Sequence, residues 1–333
     1  MSPASGRPLC AVCVDLDPVS CYLDKRGLRP GSLTRMDAVY DEGLERFLQV
    51  FSQLGVHATF FAVGREAQRP AAAARLRRAA GAGHEIANHT DSHGPSLARL
   101  PDTVLNAEIA AASRRLEDAV GQPVLGFKAP GWNVTARMFP VLERLGYRYD
   151  SSLVPLPAKA LTLWLARRAG VDMPVPLLDE QAGWPNPPAH PYRVDLRHPW
   201  RAGDAHLWEI PGGFAVRPPL PLNMTSLAML GPHLSRLALQ AYRLLHGDVV
   251  FTFHGLDLVD GRRSIGSIGL NKPGLFEHLQ AKQAFVRRVL AALLRGRRTA
   301  PLRDLVAEDV LSSTGGARIA GSAAGTDGKE ALE

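Results

Sequence analysis

Short apolar runs alternate with helix-patterned stretches from residue 10 to residue 149, and this rhythm restricts the chain to a parallel sheet with helical crossovers. Strands are expected at Cys10–Leu16, Val56–Val63, His84–Ala87, Val124–Phe127 and Tyr147–Tyr149. Helices are expected between them at Asp37–Leu54, Ala71–Ala82, Leu105–Val120 and Ala136–Leu145. The same alternation resumes with helix Ser226–Leu245, strand Val249–Phe253 and helix Leu275–Leu294. The fold class is therefore α/β, an open parallel sheet or a barrel.

Between these two blocks the pattern breaks. Residues 154–232 hold 14 of the 26 prolines together with Trp164, Trp184, Trp200 and Trp208, a composition that argues for an ordered insertion covering one end of the domain. Within it, Leu161–Ala169 reads as a short amphipathic helix and Leu207–Ile210 as a strand. The expected organisation is one domain over 1–311, with 154–232 as a substrate-covering insertion. Residues 312–333, mostly small and polar, are expected to form a disordered tail.

The formal net charge is +7, but the basic residues are spread along helix-like stretches instead of forming one aromatic-laced block, so nucleic acid is not the expected partner. The Arg clusters read as solvated helix faces, or as an attraction for anionic lipid head groups or a substrate phosphate. No run of eighteen apolar residues is present, and Met1–Pro8 lacks a basic start followed by an apolar stretch. With only three cysteines, the expectation is a cytoplasmic protein. Cys10 and Cys13 form a C-x-x-C, but residues three apart on a strand point to opposite faces, so the two sulfurs should not converge.

Active residues of parallel α/β folds lie just beyond the carboxyl ends of strands, and four clusters fall there. Asp15 and Asp17 close the first strand on one face; a pair of like charges needs a cation or a shared proton. His89 and His93 follow the third, in an H-x-x-x-H spacing that a helical turn would put on one side, as for chelating a metal. Lys128-Ala129-Pro130-Gly131-Trp132 follows the fourth, where Gly131 lets backbone N–H groups approach a reacting carbonyl, although a simple packed turn fits the same residues. His254 ends the late strand and is placed to donate a proton. Asp15, Asp17, His89 and His93 together make an N/O ligand set with an opening for water.

The motifs V-D-L-D (14–17), A-T-F-F (58–61), G-H-E-I-A-N-H-T-D-S-H (83–93), G-F-K-A-P-G-W (126–132), Y-D-S-S (149–152) and F-T-F-H-G (251–255) occur in order. In this set the chain resembles the polysaccharide deacetylase family, the NodB homology domain of carbohydrate esterase family 4, over roughly residues 8–310. The resemblance implies a distorted (β/α) barrel of about seven strands, and hydrolysis of the N-acyl (acetyl or formyl) group of an amino sugar. It implies Asp15 as catalytic base, His254 as general acid, and Asp17, His89 and His93 as ligands of one divalent ion, zinc first, with cobalt, nickel or iron as alternatives. Gly131 and Trp132, with Lys128, would form the oxyanion and positioning turn.

Two positions depart from the family pattern. Lys128 stands where many members have an Arg paired with the catalytic Asp, and Thr252 where many have a Leu. A lysine cannot make the planar two-pronged contact of a guanidinium. The D-x-D form of the first motif and the H-T-D-S-H, Y-R-Y-D-S and T-F-H segments are similar to the deformylase subgroup that acts on phosphoundecaprenol-linked formamido-arabinose. That likeness implies a lipid-linked amino sugar reached by peripheral contact at the inner membrane face, while the family resemblance alone leaves a free or nucleotide-linked sugar open. The other readings are an allantoinase-like hydrolase of a non-sugar amide and a non-catalytic sugar- or lipid-binding relative.

Overall fold

A computed structural model describes residues 7–94, 96–171, 183–212, 222–244, 247–266, 270 and 272–306. β1 (Leu9–Leu16) is buried along its length. After it come α1 (Val19–Asp24), a π-helical turn at Val39–Gly43 that runs into α2 (Leu44–Leu54), and β2 (Ala58–Ala62). The βα rhythm continues with α3 (Pro70–Gly81), β3 (Glu85–Asn88), α4 (Asp102–Val120), β4 (Gly126–Phe127), α5 (Met138–Arg144) and β5 (Tyr149–Asp150). α6 (Leu156–Arg168), β6 (Tyr192–Arg193), β7 (Trp208–Glu209), α7 (Met224–Met229) and α8 (Gly231–Leu244) lead to β8 (Val249–His254), α9 (Leu279–Leu293) and β9 (Arg298–Thr299).

The strands form one sheet in the order β6-β7-β5-β4-β3-β2-β1-β8, with β9 beside the start of β1. All pairings are parallel except β6 with β7. Among the described residues the path does not close from β8 back to β6, so the sheet is a distorted, incomplete (β/α) barrel. β1 lies next to the β8 end of this path, held by β8 along one edge and by β9 and then β2 along the other.

Alternation along β1 sorts its side chains into two layers. Cys10, Val12, Val14 and Leu16 join the large core under the helices. Leu9, Ala11 and Cys13 face the barrel interior with Phe61, Ala87, Tyr149 and Ile210. The C-x-x-C sulfurs thus lie in different layers, and burial raises both thiols, Cys10 to about 12. Asp15 continues the interior row and puts a carboxylate at its carboxyl end.

Two differences from the sequence reading have physical reasons. The sheet has nine strands instead of about seven; the two extra ones, β6 and β9, are as short as β4, β5 and β7 but lie in Pro-rich and Arg-rich stretches instead of the apolar runs that mark a strand. The expected helix Ser226–Leu245 is two helices, α7 and α8, broken at Leu230 before Gly231 with φ of 72°. The 154–232 segment also contributes to the sheet itself: β7 pairs with β5, in register Asp150 to Glu209. The expected tail at 312–333 lies outside the described residues.

Candidate active site

The carboxyl ends of β1, β3, β4 and β8 open into a cleft of about 560 Å³, lined among others by Asp15, Asp17, His89, Lys128, Gly131, Trp132 and His254. Every site residue expected from the sequence except His93 is on that wall, and His93 lies directly behind it. The Nε2 atoms of His89 and His93 are 3.3 and 3.2 Å from Oδ1 of Asp17. The ligand atoms of the three residues all lie within 4.8 Å of one another.

The histidine pair converges by another route than a helical turn. Residues 89–93 form a loop in which Thr90 and His93 take left-handed φ values of 65° and 55°. Such angles cost a non-glycine residue about 1–3 kcal/mol and persist only where the surroundings fix them. Here Thr90 N–H donates to Asn88 Oδ1 at 2.7 Å, and His93 N–H donates to Thr90 Oγ1 at 3.1 Å. The loop carbonyls of Thr90 and Asp91 accept from the N–H groups of Gly64 and Arg65 at 2.9 and 3.0 Å. Ser92 Oγ donates to Glu108 on α4 at 2.6 Å. The i, i+4 spacing was the right signal read with the wrong backbone.

The donor set suits a cation. His89 Nδ1 lies 2.7 Å from the carbonyl of Lys128, which fixes the ring so that Nε2 faces Asp17 with its lone pair. Burial pushes the His93 imidazole down to about 4, keeping it neutral. Burial opposes ionisation of Asp17, and what holds its carboxyl well below the usual range is positive charge and N–H groups offered by His93 and His89, a role that passes to a cation once the two imidazoles are neutral. A neutral imidazole and an ionised carboxylate are the forms that bind metal. His93 Nε2 and Asp17 Oδ1 are buried and make no hydrogen bond, a costly condition that a bound ion would relieve.

Asp15 and His254 stand next to each other as register partners on β1 and β8. Lys128, 2% exposed, reaches Asp15 and also lies 5.1 Å from the Phe61 ring centroid. Burial lowers the His254 imidazole below its usual range. Its backbone N–H donates to Asp257 Oδ2 at 2.8 Å, and Asp257 Oδ1 accepts from Lys272 Nζ at 2.6 Å. At the Pro130–Trp132 turn, Gly131 and Trp132 take φ of 61° and 56°. The Trp132 N–H is used within the turn, donating to Ala129 O, and the Trp132 ring packs against Val154. All three non-glycine residues with positive φ among those described, Thr90, His93 and Trp132, thus belong to this one site.

Sequence reasoning missed several participants. Tyr22 on α1 donates its hydroxyl to Asp17 Oδ2 at 3.2 Å, and Lys25, Arg26 and Arg99 line the same cleft. Tyr22 recurs five residues after Asp17, but nothing in that spacing marks it as a partner. A second buried carboxylate pair, Asp150 and Glu209, underlies the turn: Ser152 Oγ donates to Asp150 Oδ1 at 2.5 Å and accepts the Ala129 N–H at 2.7 Å. Asp150 Oδ2 and Glu209 Oε2 have no donor unless a proton sits between them, and burial raises Asp150 to about 6 and Glu209 further.

Residues 32–149 match the protein family described as Polysaccharide deacetylase. The chain is 26% identical over 148 residues to a peptidoglycan deacetylase of Helicobacter pylori, covering 44% of this chain and 50% of that protein. It is 36% identical over 107 residues to a chitooligosaccharide deacetylase of a Bradyrhizobium species, covering 30% of this chain and 45% of that protein. The chain therefore spans about half the length of the curated relatives it matches. A crystal structure from Mycobacterium smegmatis assigned as a polysaccharide deacetylase superposes with a TM-score of 0.60 at 21% identity, covering 94% of this chain and 93% of that one. That likeness is one of fold.

Proposed function

We propose that this chain is a member of the polysaccharide deacetylase family and a metal-dependent hydrolase that removes a small N-acyl group from an amino sugar. The observation that carries the reading is the convergence of Asp17, His89 and His93, with Asp15 and His254 beside them on adjacent strands. Asp17, His89 and His93 would hold one divalent ion, zinc first, whose contribution when bound is to polarise the amide carbonyl and to acidify a water.

The chain's own residues account for the proton traffic. Asp15, its carboxylate oriented by Lys128, takes the proton of the attacking water. His254 returns a proton to the amide nitrogen, which otherwise leaves very poorly. The Gly131 N–H, in a turn with a left-handed backbone, would donate to the carbonyl oxygen as negative charge develops there. Trp132 supplies an apolar wall against which a sugar face can pack.

Lys25, Arg26 and Arg99 on the cleft wall favour a substrate bearing an anionic group, such as a lipid- or nucleotide-linked sugar phosphate, over a neutral polymer. A cytoplasmic enzyme working at the inner membrane face is the setting this substrate implies. No helix among the described residues is long and apolar enough to cross a membrane. The test is metal analysis of the purified protein together with mass-spectrometric screening of N-acetyl and N-formyl amino sugars, free and phosphate-linked, beside small ureides. Acyl release from a sugar that is lost in Asp17→Asn is the expected result. Turnover of ureides alone would overturn the reading.

A further inference from the structure

The chain carries 32 Asp and Glu residues, yet α6, α7 and α8 contain none. These helices form one unit: α6 packs on α7 and α7 on α8, with Thr162 Oγ1 3.3 Å from Ser226 Oγ across the first contact. On α8, Ser235, Ala238, Leu239 and Tyr242 face the core. The opposite side shows Leu234, Leu237 and Leu244 at 52%, 59% and 75% exposure, bordered by exposed Arg236 and Arg243. On α6, Trp164 is 55% exposed, with the Arg168 guanidinium 5.6 Å over its ring and Arg167 exposed beside it. Half of the large exposed apolar side chains among the described residues therefore sit on these two helices.

We propose that the outer face of α6 and α8 docks on the surface of an anionic lipid bilayer. Leucines and a tryptophan on a polar chain, flanked by arginines and without a carboxylate, are what an interfacial helix presents to head groups and the acyl boundary. Charge chooses this occupant: a second copy of the chain would bring the same cations against these, while anionic lipid supplies the missing negative charge over the whole face. Position gives the docking a use. Thr162, Asn223 and Thr225 of the same helical unit line the catalytic cleft from its inner side, so docking the outer side anchors a unit that forms part of the cleft wall. This deepens the proposal of a lipid-linked substrate, and its test needs no turnover.

The experiment is flotation of the full chain with vesicles of phosphatidylcholine alone and of phosphatidylcholine mixed with phosphatidylglycerol. The expected result is binding to the mixed vesicles only, weakening as salt rises. At about fivefold per arginine near a charged surface, Arg236→Gln with Arg243→Gln should weaken it on the order of 30-fold. Leu234→Ser, Leu237→Ser and Leu244→Ser combined should abolish it, with circular dichroism checking the fold. The arginine variant keeps the test decisive if the leucine variant does not fold. Hydrolysis of a water-soluble substrate should be unchanged in both, and failure to find any substrate would leave the flotation result standing. Absence of binding, equal binding to both vesicle types, or undiminished binding by the arginine variant would overturn the proposal. A wild-type dimer that becomes monomeric in the leucine variant without binding vesicles would overturn it too, marking the face as a contact between copies.

Discussion

Lys128 Nζ lies 2.9 and 2.8 Å from the two oxygens of the Asp15 carboxylate, and both side chains are almost entirely buried. One ammonium thus bridges the carboxylate from a single point, with Thr252 Oγ1 3.5 Å from the same nitrogen. Thr252 and Lys128, the two positions at which the sequence departs from the pattern of the family it resembles, accordingly sit side by side. Removing the cation leaves a buried charge unpaired. Lys128→Met should lose about 3–5 kcal/mol in urea unfolding, and Lys128→Met with Asp15→Asn should recover much of it.

Chelation should abolish hydrolysis, and adding back a divalent ion should restore it. The same ion should raise the melting temperature of the wild type, since a ligand that binds only the folded state stabilises it. Asp17→Asn and His93→Ala should lose both the bound metal and the melting shift. Elemental analysis alongside a thermal melt checks both outcomes.

Asp15→Asn and His254→Gln should each retain metal while lowering kcat by roughly 10²–10⁴-fold. Because the two groups act on one substrate in one sequence, the double variant should fall far short of the product of the single losses. Steady-state kinetics with metal content measured on the same samples distinguishes this from a collapsed site.

The Asp150–Glu209 pair predicts a specific dependence on pH. Burial raises Asp150 from 3.8 to about 6 and Glu209 in the same direction, so the folded chain holds a proton that the unfolded chain releases near its ordinary carboxylate range. The pair's contribution to stability is complete below that range; the Asp150 part is lost as pH rises through about 6 and the Glu209 part at higher pH still. Glu209→Gln keeps an acceptor for the Leu153 N–H, now at 3.0 Å from Oε1, and gives Asp150 a permanent donor. The variant's stability relative to wild type should therefore increase with pH, as read by denaturation at a series of pH values.

Much of this site is visible in the chain because its residues end strands. Asp15 and His254 sit at the last positions of long apolar runs, where alternation fixes both the face and the end of the barrel. His89 was equally legible from β3, but the backbone bringing His93 to it was not. A left-handed threonine stabilised by Asn88 leaves no periodic trace. Lys272, fifteen residues after Asp257, and Tyr22, on a helix of six residues, are joined to the site by tertiary packing alone. β6 and β9 escaped because their two residues each sit among prolines or arginines, outside any apolar run.

The position of β1 bears on how the chain is made. Its neighbours on one edge, β8, and at the base of the other, β9, are translated more than two hundred residues after it. On the ribosome Asp17, His89 and His93 are all present long before His254 exists, while one edge of β1 waits unpaired. Pairings so distant in sequence form slowly, and an unpaired apolar strand invites association with other chains. A product truncated after α8 would hold every metal-ligand residue and still lack the strand that covers that edge, so aggregation rather than a partial enzyme is its natural fate.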